Sequence, residues 1–144
     1  MIIIGCDHGG FELKQALVEY LQSIGKEVKD CGTYSTDSVD YPDIAECVCK
    51  EYLKGGYEFG ILVCGTGIGI SISANKIDGI RCALVATEYA AEMSKRHNNA
   101  NMLAFGGRVT GVELAISSLK AYMNAEFEGG RHLNRVNKIQ ALEQ

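Results

Sequence analysis

The sequence predicts an α/β fold: a doubly wound, Rossmann-like parallel sheet of five strands, with helices on both faces and an extra C-terminal helix. Two observations carry this expectation. Short apolar runs alternate strictly with longer amphipathic segments along the 144 residues, and each parallel crossover needs a helix to cover the sheet. The run Ile61-Leu-Val-Cys64 breaks at once into Gly65-Thr66-Gly67-Ile68-Gly69, as a buried parallel strand does where it turns into a helix. No internal repeat, linker or low-complexity stretch divides the chain, so residues 1–144 read as one domain.

The elements follow in order. Ile2 to Cys6 is a first strand, and Phe11 to Ile24 a helix with Leu13, Leu17, Leu21 and Ile24 on one stripe, closed by Gly25. Val28 to Cys31 is a second, weaker strand. A polar loop from Gly32 to Asp40 leads to Pro42, the only proline, at the first position of a helix that runs to about Leu53. Phe59 to Cys64 is the third strand, followed by a short helix to Lys76. Gly79 to Val85 gives the fourth, and Thr87 caps a helix to about Arg96. Asn101 to Phe105 is the fifth. Thr110-Gly-Val-Glu113 has the form of a capping box opening a helix with Leu114, Ile116, Leu119 and Met123 on its apolar side. A last helix spans roughly Leu133 to Leu142, its apolar stripe being Leu133, Val136 and Ile139.

Composition excludes several classes. No run approaches the roughly 20 apolar residues of a membrane span. Met1-Ile-Ile-Ile lacks a basic leader region, so a cytoplasmic protein is expected, with no membrane partner. A net charge of −4 without a basic tract argues against nucleic acid. Cys6, Cys64 and Cys82 lie in or beside strand-like runs of a well-cored chain, so the six cysteines read as reduced thiols. Cys47 and Cys49 would point about 200° apart on a helix. With no Cys-x-x-Cys, no metal site is expected.

The strand ends gather the polar residues. Asp7-His8 follows the first strand, Cys64 to Gly69 the third, Thr87-Glu88 the fourth and Arg108 the fifth, and ligands bind along that edge of open α/β sheets. Gly65-x-Gly67-x-Gly69 misses the dinucleotide fingerprint by one position and lacks the Gly-Lys-Ser/Thr of a phosphate-binding loop. Neither a nicotinamide cofactor nor any other is signalled. What remains is a ring of backbone N–H donors beside the Cys64 thiol and the Thr66 hydroxyl, fit for a phosphate or a developing oxyanion. Cys64 by itself is as well explained as a small core residue. Arg131 and Arg135 share a helix face and suit a phosphate dianion, though a solvated basic patch has the same pattern. His97, among Lys95-Arg96-His97-Asn98-Asn99, is an acid or base near neutral pH or a cation ending a helix.

Seven motifs carry a resemblance. Gly5-Cys-Asp7-His8-Gly, Asp40-Tyr41-Pro42, Cys64-Gly-Thr-Gly-Ile-Gly-Ile-Ser, Ala74-Asn-Lys76, Arg96-His97-Asn98, Phe105-Gly-Gly-Arg108 and Glu128-Gly-Gly-Arg131-His-Leu-Asn-Arg135 occur in that order over the whole chain. Together they resemble the ribose-5-phosphate isomerase B family. The related galactose-6-phosphate isomerase subunits lack the His-Asn pair and the Gly-Gly-Arg-His segment, so the resemblance is to the ribose-phosphate branch.

The resemblance implies an aldose-ketose isomerase of the pentose phosphate pathway, converting ribose 5-phosphate and ribulose 5-phosphate without cofactor or metal. It implies Cys64 as the base moving a proton between C2 and C1, and His97 with Thr66 as the groups that open the furanose ring. Asp7, His8, Tyr41, Asn98 and the Gly65, Thr66, Gly67, Ile68 and Gly69 loop would bind the sugar and the enediolate oxygens. Arg108, Arg131, Arg135 and His8 would hold the phosphate. Some family members carry a glutamate base where this chain has Ile70, which returns the task to Cys64. The family's sites lie between subunits, so a homodimer or a dimer of dimers with shared sites is expected. A six-carbon sugar phosphate such as allose 6-phosphate is the alternative substrate, and a noncatalytic phosphosugar- or nucleotide-binding module the alternative class.

Overall fold

In the computed structural model, which describes residues 1–143, three apolar runs become the centre of one sheet. Strands β1 (Ile2–Cys6), β3 (Gly60–Cys64) and β5 (Met102–Gly106) are buried at every position. Continuous burial is what a strand covered on both faces requires, hence the absence of polar alternation. The three-residue strands β2 (Val28–Asp30) and β4 (Cys82–Leu84) are only partly buried and take the two edges. The order is β2-β1-β3-β5-β4, every pair parallel.

Helices α1 (Phe11–Ser23), α4 (Glu88–Arg96) and α5 (Val112–Met123) cover one face, packing Leu13, Leu17, Leu21, Ala91, Ala115 and Leu119 against Ile2, Ile4, Ile61, Val63, Leu103 and Phe105. Helices α2 (Tyr41–Leu53) and α3 (Ile68–Asn75) cover the other, with Ala45, Val48, Cys49, Ile70 and Ala74 against Ile3, Leu62, Met102 and Ala104. Successive strand residues therefore feed opposite layers, as the pleat demands. Helix α6 (Arg131–Gln140) reaches β4's side of the sheet, where the Gln140 carboxamide oxygen accepts from Arg81 at 3.0 Å.

Several element-level expectations need correction. The Thr110–Glu113 capping box does not form. Gly111 is the N-cap of α5, without a side-chain hydrogen bond. The buried side of α5 is Ala115, Ser118, Leu119 and Tyr122, while Leu114 is exposed. Leu119 lies on this side as expected, and Ile116 and Met123 are partly buried against the same core. Ile24 is also exposed, beyond the last turn of α1. On α6 only His132 and Val136 are buried, and Leu133 and Ile139 face outward. Thr87 caps α4 as expected, accepting from the Ala90 N–H at 3.1 Å.

Lys14, which the sequence reading passed over, is buried in the interior. Its ammonium donates to both Asp30 oxygens at 2.9 and 2.7 Å and to the Thr33 carbonyl at 2.6 Å, tying α1 to the end of β2. A buried ammonium stays charged only with such a set of acceptors.

Candidate active site

The chain leaves β1 outward to β2, then returns past β1 to form β3 on its other side. At this switch point the loops after β1 and β3 part to opposite layers and leave a crevice at the strand carboxyl ends. Cys64 ends β3 there, 4% exposed, facing the α2/α3 layer. Gly67 follows with φ 80°, a left-handed turn that brings its own N–H back to Cys64 Sγ at 3.1 Å. Only glycine suits the position, since a Cβ would meet Leu84 and stand 2.9 Å from the Phe105 carbonyl carbon. Sulphur thus sits under an N–H donor at the start of α3, an arrangement that accommodates negative charge. The other interior cysteines lack such a donor: burial pushes Cys6 and Cys31 up to about 11, Cys49 up to about 12, and Cys82 up as well. Cys47 is exposed on α2, opposite the buried Cys49.

The neighbouring loops supply the remaining groups. Thr66 is exposed, its Oγ1 accepting from the Ile68 N–H at 3.2 Å. After β1, Asp7 Oδ1 accepts from the Gly9 N–H at 2.9 Å. His8 Nδ1 accepts from the Val39 N–H at 3.2 Å, so its neutral ring carries the proton on Nε2. After β5, Gly107 N–H donates to the Cys64 carbonyl at 2.8 Å and Arg108 N–H to the Gly65 carbonyl at 2.9 Å. The Arg108 guanidinium lies over Gly65, where a Cβ would come within 3.3 Å of Nη1. The Tyr41 ring packs on Gly69, leaving no room there for a side chain. Asp7, His8, Tyr41, Cys64, Gly65, Thr66, Gly67, Ile68, Gly69 and Arg108 therefore form one cluster.

His97, Asn98, Arg131 and Arg135 do not join it within the chain. Helix α4 runs back along the sheet, so His97, its C-cap, lies at the strand amino ends, ahead of Met102 where β5 begins. Cys64 pairs with Gly106, four residues further along β5, or about 13 Å at the usual strand rise. His97 and His132 of α6 stack with ring centroids 4.2 Å apart and planes 8° from parallel. Arg131 and Arg135 project from that helix, both exposed.

The five arginines divide accordingly. Arg81 is pinned by the Asn98 and Asn99 carbonyls and Gln140, and Arg96 by Glu92 and Glu128. The guanidiniums of Arg108, Arg131 and Arg135 have no hydrogen bond or ion pair among the described residues. Glu128 and His132 were missed as individual residues, although they stand four apart in the Glu128-Gly-Gly-Arg131-His segment. The Glu128 carboxyl, hydrogen-bonded to Arg96, is held below the usual carboxylate range, and burial lowers the His132 imidazole.

Comparison with known proteins extends this arrangement to a family. The Ribose/Galactose Isomerase family model matches residues 2–139. Ribose-5-phosphate isomerase B of Escherichia coli is 49% identical over 143 residues, covering 99% of this chain and 96% of that one. A D-erythrulose-4-phosphate isomerase of Pectobacterium atrosepticum is 42% identical, covering 96% of this chain and 91% of its own. The solved Clostridium thermocellum ribose-5-phosphate isomerase B superposes with a TM-score of 0.96 at 48% identity, covering 98% of this chain and 95% of that one. Sequence and backbone agree over nearly the whole length, and the chain belongs to the Ribose/Galactose Isomerase family.

Proposed function

We propose that this protein interconverts ribose 5-phosphate and ribulose 5-phosphate, with Cys64 as the base. The observation that carries the reading is the Cys64 sulphur held under the Gly67 N–H at the switch-point crevice. Moving a carbonyl from C1 to C2 requires removal of the C2 proton and stabilisation of the oxyanion that develops. The Cys64 thiolate takes that proton from the open-chain aldose, giving an enediolate with its charge on O1, and the O2 hydroxyl proton passes to O1 so that the charge moves to O2. The new thiol then returns the proton to C1 as O2 becomes the carbonyl oxygen. N–H groups of the Gly65 to Gly69 loop receive the oxyanions, and Asp7, His8, Tyr41 and Asn98 bind hydroxyls. His97, with Thr66, opens the furanose ring beforehand. Phosphate binding by Arg108, Arg131, Arg135 and His8 anchors a group remote from the chemistry and positions the reacting carbons.

This mechanism needs two subunits. The base and the ring-opening acid lie at opposite ends of one sheet, so a site that uses both takes His97, Asn98, Arg131 and Arg135 from a second copy. The surface beside the crevice fits that arrangement. Ile68 and Ile72 of α3 are 52% and 57% exposed, and Leu84, 41% exposed, stands against Gly67. These exposed apolar side chains support a protein contact at this surface. The proposed assembly is a homodimer with two shared sites, or a dimer of dimers. No helix among the described residues is long and apolar enough to cross a membrane.

The four-carbon substrate named for one relative makes chain length the open variable. Measuring kcat/KM for ribose 5-phosphate, erythrulose 4-phosphate, allose 6-phosphate and galactose 6-phosphate tests the assignment. The highest value is expected for ribose 5-phosphate. A higher value for another sugar reassigns the substrate, and phosphosugar binding without turnover of any of them overturns the isomerase reading.

A further inference from the structure

We propose that His132 and Glu128 are positioning residues for His97: the stacked His132 ring fixes its plane, and the Arg96-anchored carboxylate of Glu128 holds the two rings together at the end of α4. The inference rests on the isomerase reading, in which His97 opens the sugar ring, and it assigns to that step two residues that touch no reacting atom.

The geometry is specific. His97 ends a helix and is more than a third exposed, a setting in which an imidazole turns freely about its side-chain bonds. Here one face is covered by the buried ring of His132, 4.2 Å away and within 8° of parallel. Glu128 is fixed twice to the end of α4, its N–H donating to the Arg96 carbonyl at 3.0 Å and its Oε2 accepting from Arg96 Nε at 2.6 Å. The other oxygen, Oε1, is left 3.4 Å from His132 Nε2 and 3.9 Å from His97 Nε2. Around this pair stand Arg96 and Glu92 on α4, and Arg131 and Arg135 on α6.

Burial lowers the His132 imidazole. The three groups offer donor atoms within 4.8 Å of one another, which raises the question of a cation. Arg96 already occupies one Glu128 oxygen, however, and parallel rings direct their in-plane lone pairs side by side rather than to a common point. Orientation of an acid is the better use of this geometry.

The test separates ring opening from proton transfer. Ribulose 5-phosphate is acyclic, because its O5 carries the phosphate, so exchange of its C1 proton with deuterium oxide reads the Cys64 step alone. Turnover of ribose 5-phosphate reads ring opening as well. In His132→Ala and Glu128→Gln, turnover should fall about tenfold, part of what a general acid contributes, with exchange within about twofold of the parent. His132→Phe, which keeps an aromatic plane, should retain most of the turnover. Equal loss of exchange and turnover, or loss of neither, overturns the proposal. A His132→Phe enzyme as slow as His132→Ala removes the stacking role. A parent enzyme that neither exchanges nor turns over overturns the isomerase reading instead.

Discussion

The crevice at the strand carboxyl ends and the His97/α6 cluster at the amino ends are built on different principles. In the crevice the backbone does most of the work. Gly67 turns its N–H onto Cys64, the Arg108 N–H holds the Gly65 carbonyl, and Tyr41 lies on Gly69. In the cluster the working groups are side chains on helix ends: two stacked imidazoles, a carboxylate clamped by Arg96, and two exposed guanidiniums. A base that must meet one carbon profits from a position fixed by the sheet. Groups that hold a phosphate or open a ring are reached by long side chains, and these can be presented to a second copy. In the proposed mechanism half of the site is stored in the fold of one chain, and the other half comes from a second copy.

The comparison breaks most sharply at Cys64. Cys64→Ala should depress kcat at least about a hundredfold, the scale of a lost general base, with melting and substrate binding largely kept. Near-normal turnover would remove Cys64 from the mechanism and leave the crevice as a binding site only.

Arg131 and Arg135 test the other half. Each change to Ala should raise KM by about tenfold or more, the scale of a charge-assisted phosphate contact, with kcat less affected. Mixing a Cys64→Ala subunit with an Arg131→Ala/Arg135→Ala subunit then asks where those arginines act. With shared sites, one site of the mixed dimer carries both lesions and the other neither, so activity should return to about half that of the parent. Verified mixed dimers without activity would show that each chain uses its own arginines.

Gly67→Ala sharpens the claim that backbone places the base. With φ at 80° and the Phe105 carbonyl 2.9 Å from the new Cβ, the variant should lose about 1–3 kcal/mol of stability and roughly tenfold in kcat. Denaturant unfolding and steady-state kinetics measure the two. A variant as stable and active as the parent would mean that the turn is not needed to hold Cys64.

The smallest expected effect separates surface from site. Cys47 is exposed whereas Cys64 is buried, so iodoacetamide should label Cys47 early without loss of activity. Of the five other cysteines Cys6 and Cys49 are buried, Cys31 and Cys82 half-buried and Cys47 exposed. Inactivation should instead follow Cys64, be slowed by substrate, and proceed at the parent rate in Cys47→Ser. Loss of activity that tracks Cys47 on peptide mapping would count against the crevice.

The sequence by itself determined what is local. Periodicity set the strands and helices, because the alternation of apolar runs with amphipathic segments is decided by nearest neighbours along the chain. The run ending in Cys64 and the glycines after it determined that a thiol would meet a helix start, since strand, turn and helix are contiguous there. Seven spaced motifs determined the family. Tertiary structure alone decided the rest. The order of β5 and β4 depends on which strand can be covered on both faces, and the layer that α5 and α6 pack on selected which residues of their expected apolar stripes reach the core: Leu119 and Val136, but not Leu114, Leu133 or Ile139. Lys14 became a core cation only because Asp30 and the Thr33 carbonyl converge on it. Above all, the distance between Cys64 and His97 is set by the direction in which α4 runs back along the sheet, a relation between segments far apart in sequence that no local pattern encodes.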